Sequence, residues 1–119
     1  MERSADPDCL FCKIVAREVP AEVVAETDDL IAFNDINPQA PRHILVVPKA
    51  HIPTVNDLQA EEGELIGRMV LLARDFAEDH EYSGAGYRLV LNCNRQAGQS
   101  VFHIHMHVLA GRYLSWPPG

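Results

Sequence analysis

The stretch Val101–Ala110, reading VFHIHMHVLA, sets three histidines at strict alternation inside an apolar run. Side chains two apart on a β-strand project to the same face. As a last strand, this segment lines one face with His103, His105 and His107 and fills the other with Ile104, Met106 and Val108. Burying imidazoles without partners is costly. The pattern therefore points to a solvated polar face, to a metal site, because two histidines one residue apart on a strand can both ligate zinc, or to a histidine acting as nucleophile or base. The turn ahead of it, Asn94-Arg95-Gln96-Ala97-Gly98-Gln99-Ser100, adds a glycine, a hydroxyl and short polar groups. Gly98 permits close approach of backbone to an anion, and such a loop beside imidazoles makes a phosphate cradle.

Working outward, Tyr87–Asn94 (YRLVLNCN) and His43–Pro48 (HILVVP) read as strands, the second of them buried. Val23–Thr27 and Leu30–Asp35 are apolar runs joined by Asp28-Asp29, a hairpin. Prolines make the following INPQAPRH an ordered loop, because they remove ladder donors. One long helix is predicted from Glu61 to about His80. Leu65, Met69, Leu72 and Phe76 recur at helical spacing, with Ile66, Val70 and Ala73 widening the stripe. Glu61, Glu62 and Glu64 load its start, where the helix dipole favours negative charge. Hairpins plus one long helix predict an α+β fold, an antiparallel meander sheet with a single helix packed on it. With 119 residues, the chain is read as one domain over 1–119. Residues 1–8 form a loose arm, and 112–119 form a tail that Pro117-Pro118 keep out of any central strand.

The composition, 47% hydrophobic and 23% charged, is that of a soluble globular protein and excludes disorder over most of the chain. No apolar run reaches the ~18–20 residues of a membrane span, and MERSADPDCLFCKIV lacks the pattern of a signal peptide. A net charge of −7 makes nucleic-acid polymers and anionic membranes poor partners, while a small anion can still be held by backbone N–H groups. Three cysteines, Cys9, Cys12 and Cys93, without an export signal point to a reducing cytoplasm. Cys9-x-x-Cys12 then reads as thiols, a redox pair or metal ligands, and Cys93 as a packed small hydrophobe. His80 reads as solvated surface.

Gly98-Gln99-Ser100-Val101-Phe102-His103-Ile104-His105-Met106-His107-Val108-Leu109 resembles the signature of the histidine triad (HIT) superfamily. The likeness runs from Cys9 to Gly119 through Phe33-Asn34-Asp35-Ile36-Asn37-Pro38-Gln39-Ala40-Pro41 and Val46-Val47-Pro48-Lys49-Ala50-His51. The ending Trp116-Pro117-Pro118-Gly119 is similar to that of the Hint branch, the purine nucleoside phosphoramidases. Ala97 stands where some members carry a second glycine.

The resemblance implies a nucleotidyl hydrolase or transferase acting on purine nucleoside 5′-phosphoramidates. His105 would attack the α-phosphorus, giving a nucleotidyl-histidine that water hydrolyses to AMP or GMP. His107 would donate to a phosphate oxygen or assist the leaving group. Ser100 and the backbone of Gly98, Gln99 and Val101 would stabilise the phosphate oxygens, with Asn92 nearby. Asp35 would accept from the ribose hydroxyls. Phe11, Phe33 and Ile36, with Leu10, Ile14 and Val19, would line the base pocket, and His43 could contact the triad. The chemistry needs no metal. A structural zinc on Cys9, Cys12, His51 and His103 would clamp the N-terminal arm to the sheet, leaving His105 and His107 for catalysis. A homodimer is expected, with the sheet extended across it and the Trp116 tail near the partner's site. The alternatives are a dinucleoside polyphosphate hydrolase, a zinc hydrolase using His103, His105 and His107 as ligands, and a nucleotide-binding protein with little turnover.

Overall fold

The computed structural model describes residues 3–119; Met1 and Glu2, at the start of the arm, lie outside the described residues. The elements run α1 (Leu10–Val15), β1 (Val23–Glu26), β2 (Leu30–Asn34), β3 (Arg42–Pro48), α2 (Gly63–Asp79), β4 (Tyr87–Leu91) and β5 (Met106–Ala110). The strands form one antiparallel sheet in the order β1-β2-β3-β5-β4. The sequence therefore runs as a meander through β3, crosses by α2 to the far edge, and returns with β5 into the middle.

Alternation along the central strands sorts the side chains into two cores. Leu30, Ala32, Ile44, Val46, Met106 and Val108 face α2, where Met69, Ala73 and Phe76 close the layer. Ile31, Phe33, Leu45 and Val47 face the other way, onto Phe11, Cys12 and Ile14 of α1. The helix predicted from its apolar stripe is thus present, with Met69, Ala73 and Phe76 buried and Val70 and Leu71 left exposed. Its acidic start is used locally: the Glu62 carboxylate accepts from the Gln59 N–H at 2.8 Å and from Arg3. That ion pair fastens Arg3, within the arm expected to be loose, to the start of α2.

The structure shortens the last two predicted strands most. β4 ends at Leu91, and the backbone of Asn94 turns through the left-handed region at φ +70°. The last strand begins at Met106, not Val101. His103, Ile104, His105 and Met106 are buried one after another, so alternation fails over this stretch. Ile104 instead donates its N–H to the Ile52 carbonyl at 2.7 Å, and the His103 Nε2 bonds the Pro48 carbonyl at 2.7 Å. Residues 101–105 are therefore laid against the connector after β3, outside the sheet.

Candidate active site

The three alternating histidines lie on the α1 side of the sheet but are split between two clusters. His107 lies within β5, opposite Leu45 of β3, and points to the α1 side of the sheet. His105 precedes the strand and is buried, its ring edge-on to Phe11 at 5.0 Å and to His107 at 5.1 Å. His103 turns away from both, and its Nδ1 lies 3.3 Å from the Cys9 sulfur and 3.2 Å from the His51 Nδ1. His103, His105 and His107 do not converge on one point, so the fold does not build the three-histidine metal site that strict alternation would allow.

The tautomers follow from the partners. The Nδ1 of His105 lies 2.8 Å from the His103 carbonyl oxygen, which can only accept, so Nδ1 carries the proton. The Nε2 of His105 keeps its lone pair. In the neighbouring ring system the Gln39 N–H donates to the Nδ1 of His43 at 3.0 Å. Neutral His43 must then carry its proton on Nε2, which lies 2.9 Å from the Nδ1 of His107. His43 donates there, and His107 is left with an N–H at Nε2. The outcome is one ring with a free lone pair and, 5.1 Å away, one with a free proton. Burial holds the His105, His43 and His107 rings below the usual imidazole range, His107 at about 4, with the neighbouring histidines adding to the shift at His107. All three are neutral near pH 7, and a neutral imidazole is a competent nucleophile. The carboxylate of Asp35, 3.5 Å from the His43 Nε2, opposes the shifts in all three.

The loop ahead of the histidines is held by its own bonds. Gly98, at φ +98°, donates its N–H to Arg95, and Gln99 donates to the Asn94 carbonyl. The Gln99 side chain is buried and braces the loop, accepting from the Asn94 N–H and donating to the Pro53 and Val101 carbonyls. Gly98 and Gln99 thus shape the cradle, and the Ser100 and Val101 N–H groups find no acceptor among the described residues. Ser100 is exposed and Asn92 half-buried. Asp35 is half-buried beside His43, its Oδ1 accepting the Asn37 N–H at 2.8 Å. Phe11 and Phe33 stack edge-on at 5.5 Å and are buried, as is Ile14; Val19 is half-buried and Leu10 and Ile36 are exposed. His43 is the residue the sequence underplayed. Its place beside His107 comes from the pairing of β3 with β5, which no local pattern reveals.

Cys9, Cys12, His51 and His103 bring two sulfurs and two nitrogens within 4.8 Å of one another. The separations are 3.3 Å for Cys9–His103 and for Cys12–His51, 3.6 Å for Cys12–His103 and 3.2 Å for His51–His103. Around a tetrahedral zinc such donors sit roughly 3.3–3.8 Å apart. The Pro48 carbonyl fixes the His103 proton on Nε2, which frees Nδ1 as a ligand, the usual outer support of a metal-bound histidine. Burial pushes the Cys12 thiol up, a shift that a bound cation would reverse. The residues fit the metal.

Comparison with known proteins bears on the fold and the family. A family model described as "Scavenger mRNA decapping enzyme C-term binding" matches residues 8–115. The purine nucleoside phosphoramidase of Escherichia coli K12 is 50% identical over 107 residues, 90% of each chain. The chain belongs to the histidine triad superfamily. Among solved histidine triad proteins, a HIT family hydrolase from Legionella pneumophila superposes with a TM-score of 0.92 at 49% identity, covering 94% of this chain and all of that one. A histidine triad protein from Clostridium difficile gives 0.90 at 41% identity, with 97% of each chain covered. The histidine triad fold accounts for the five-stranded sheet and single long helix seen here.

Proposed function

We propose that this protein hydrolyses purine nucleoside 5′-phosphoramidates at the α-phosphorus through a nucleotidyl-histidine on His105. The observation that carries the reading is the His103 carbonyl holding the His105 proton on Nδ1, which leaves Nε2 free to attack. The 50% identity to a purine nucleoside phosphoramidase supports the choice of substrate. In the first step the His105 Nε2–P bond forms, the P–N bond to the amine breaks, and the departing nitrogen takes up a proton. The proton on that nitrogen comes from solvent, while the Nε2–H of neutral His107 is the hydrogen-bond donor available to the departing nitrogen or to a phosphate oxygen, and His43 behind it keeps the proton on that atom. Water then displaces His105, releasing AMP or GMP. The Ser100 hydroxyl and the Ser100 and Val101 N–H groups supply oxyanion donors, with Asn92 beside the phosphate. Asp35 accepts from the ribose, and Phe11, Phe33 and Ile36 flank the base. Substitution His105→Ala should lower kcat on a fluorogenic adenosine phosphoramidate by at least ~10³-fold with the fold intact. Wild-type activity in that variant would refute the role of His105.

Cys9, Cys12, His51 and His103 are proposed to hold a structural zinc, which closes the N-terminal segment onto the sheet and touches no reacting atom. Elemental analysis of the purified chain should find about one zinc per chain. The exposed Val70, Leu71 and Trp116 and the edge strand β4 support a homodimer, which sedimentation at micromolar concentration tests. No helix of the described residues is long and apolar enough to cross a membrane. The free cysteines favour a cytoplasmic setting.

A further inference from the structure

We propose that the Cys9–Cys12–His51–His103 centre positions the nucleophile, fixing both the tautomer and the tilt of the His105 ring. The inference rests on the reading of His105 as nucleophile and of the cluster as a zinc centre. Two independent contacts join them.

The first contact runs through His103, which belongs to both. Its Nδ1 faces the sulfurs, its Nε2 is bonded to the Pro48 carbonyl at 2.7 Å, and the residue is fully buried. A ring held at both nitrogens cannot swivel without dragging its backbone. The carbonyl of that same backbone accepts the His105 Nδ1–H at 2.8 Å. The second contact runs through Phe11, which sits between the two cysteines on α1. A helix of six residues has no stability of its own, so the cysteines at its start set where it lies. The Phe11 ring meets His105 edge-on at 5.0 Å and 87°, and meets His103 at 5.9 Å. Opening the centre frees the carbonyl that selects the Nδ1–H tautomer and the ring that backs the imidazole. A neutral imidazole with its proton on Nε2 has no lone pair there to attack phosphorus. Cys9, Cys12 and His51 are then positioning residues, acting on kcat through His105 and leaving nucleotide binding largely alone, while Phe11 both backs His105 and flanks the base.

The test compares the full chain loaded with zinc, the same chain stripped by a chelator, and Cys12→Ser. Bound zinc, the ¹⁵N shifts of the His105 imidazole at fixed neutral pH, and kcat and KM are measured on each. The loaded chain should show His105 as the Nδ1–H tautomer. The zinc-free forms should show mixed tautomers and a kcat lower by ~10-fold or more, with KM within about twofold, and added zinc should restore the stripped wild type. A folded zinc-free chain with unchanged His105 shifts and kcat would overturn the proposal, as would a chain that takes up no zinc. If stripping unfolds the chain, zinc-loaded Phe11→Leu decides. It should keep its metal but lose the His105 signature and part of kcat; unchanged shifts there also overturn the proposal. An active His105→Ala would instead defeat the catalytic reading while leaving the ¹⁵N link intact.

Discussion

Two clusters of histidine lie on the α1 side of the sheet, and they do opposite work with the same side chain. In one, His51 and His103 turn Nδ1 toward the sulfurs of Cys9 and Cys12, inside a nearly closed shell. In the other, His43 and His107 face each other through a 2.9 Å N–H···N bond, with Asp35 alongside. Either trio or quartet has the spacing to attract a cation. What separates them is the atom opposite each ring nitrogen. Soft sulfurs suit the first to a metal. A backbone N–H, from Gln39, orders the protons of the second by dictating which nitrogen of His43 is bare. The role of a histidine is set by its second nitrogen as much as by its first.

This contrast can be broken in order of size. Substitution His107→Ala should cost roughly 10²–10³-fold in kcat, the usual worth of one hydrogen-bond donor to charge developing in the transition state, and leave the metal content unchanged; steady-state kinetics with elemental analysis tests both. His43→Ala should cost less, about 10-fold, because it acts only through the His107 tautomer. Equal losses in the two variants would mean that His43 touches substrate itself. Loss of the proposed zinc should lower stability more than either, by on the order of 3 kcal/mol or more, since three buried groups and the half-buried His51 lose their common partner; a thermal melt with and without chelator reads this.

Acid provides a finer probe. The His107 pKa lies at about 4 in the folded chain and near 6.5 when unfolded, so between these values only the unfolded state takes the proton. The stabilisation is complete above pH ~6.5 and is lost as pH falls toward ~4. His43 is shifted the same way. Urea midpoints in wild type should fall across that window, and the slope should flatten in His107→Ala. Smallest of all, Gly98→Ala should cost about 1–2 kcal/mol, from the left-handed backbone alone, because a Cβ there meets no neighbour.

Much of this was legible in the sequence because it was local. The Val23–Glu26 and Leu30–Asn34 hairpin, β3 and the stripe of α2 each declare themselves within one element. The proposed zinc-binding set Cys9, Cys12, His51 and His103 could be named because its members sit in quotable motifs, and the fold brings the four together. The orientation of the triad could not. Alternation at 103, 105 and 107 imitates a strand, yet His103 is pulled out of the sheet by cysteines more than 90 residues earlier in the chain. His43 is set beside His107 by strand register across 64 residues. The backbone N–H groups spent inside the Gly98 turn were also invisible, since a glycine announces a turn without saying which of its donors remain free.

Rapid base quenching of the enzyme with an adenosine phosphoramidate, followed by peptide mass spectrometry at alkaline pH, tests the central claim most directly. The account requires one AMP moiety on the peptide carrying His105, attached through the ring nitrogen, stable to base and lost in acid. An adduct on His107 or His103, or turnover with no adduct under conditions that preserve a P–N bond, would contradict it.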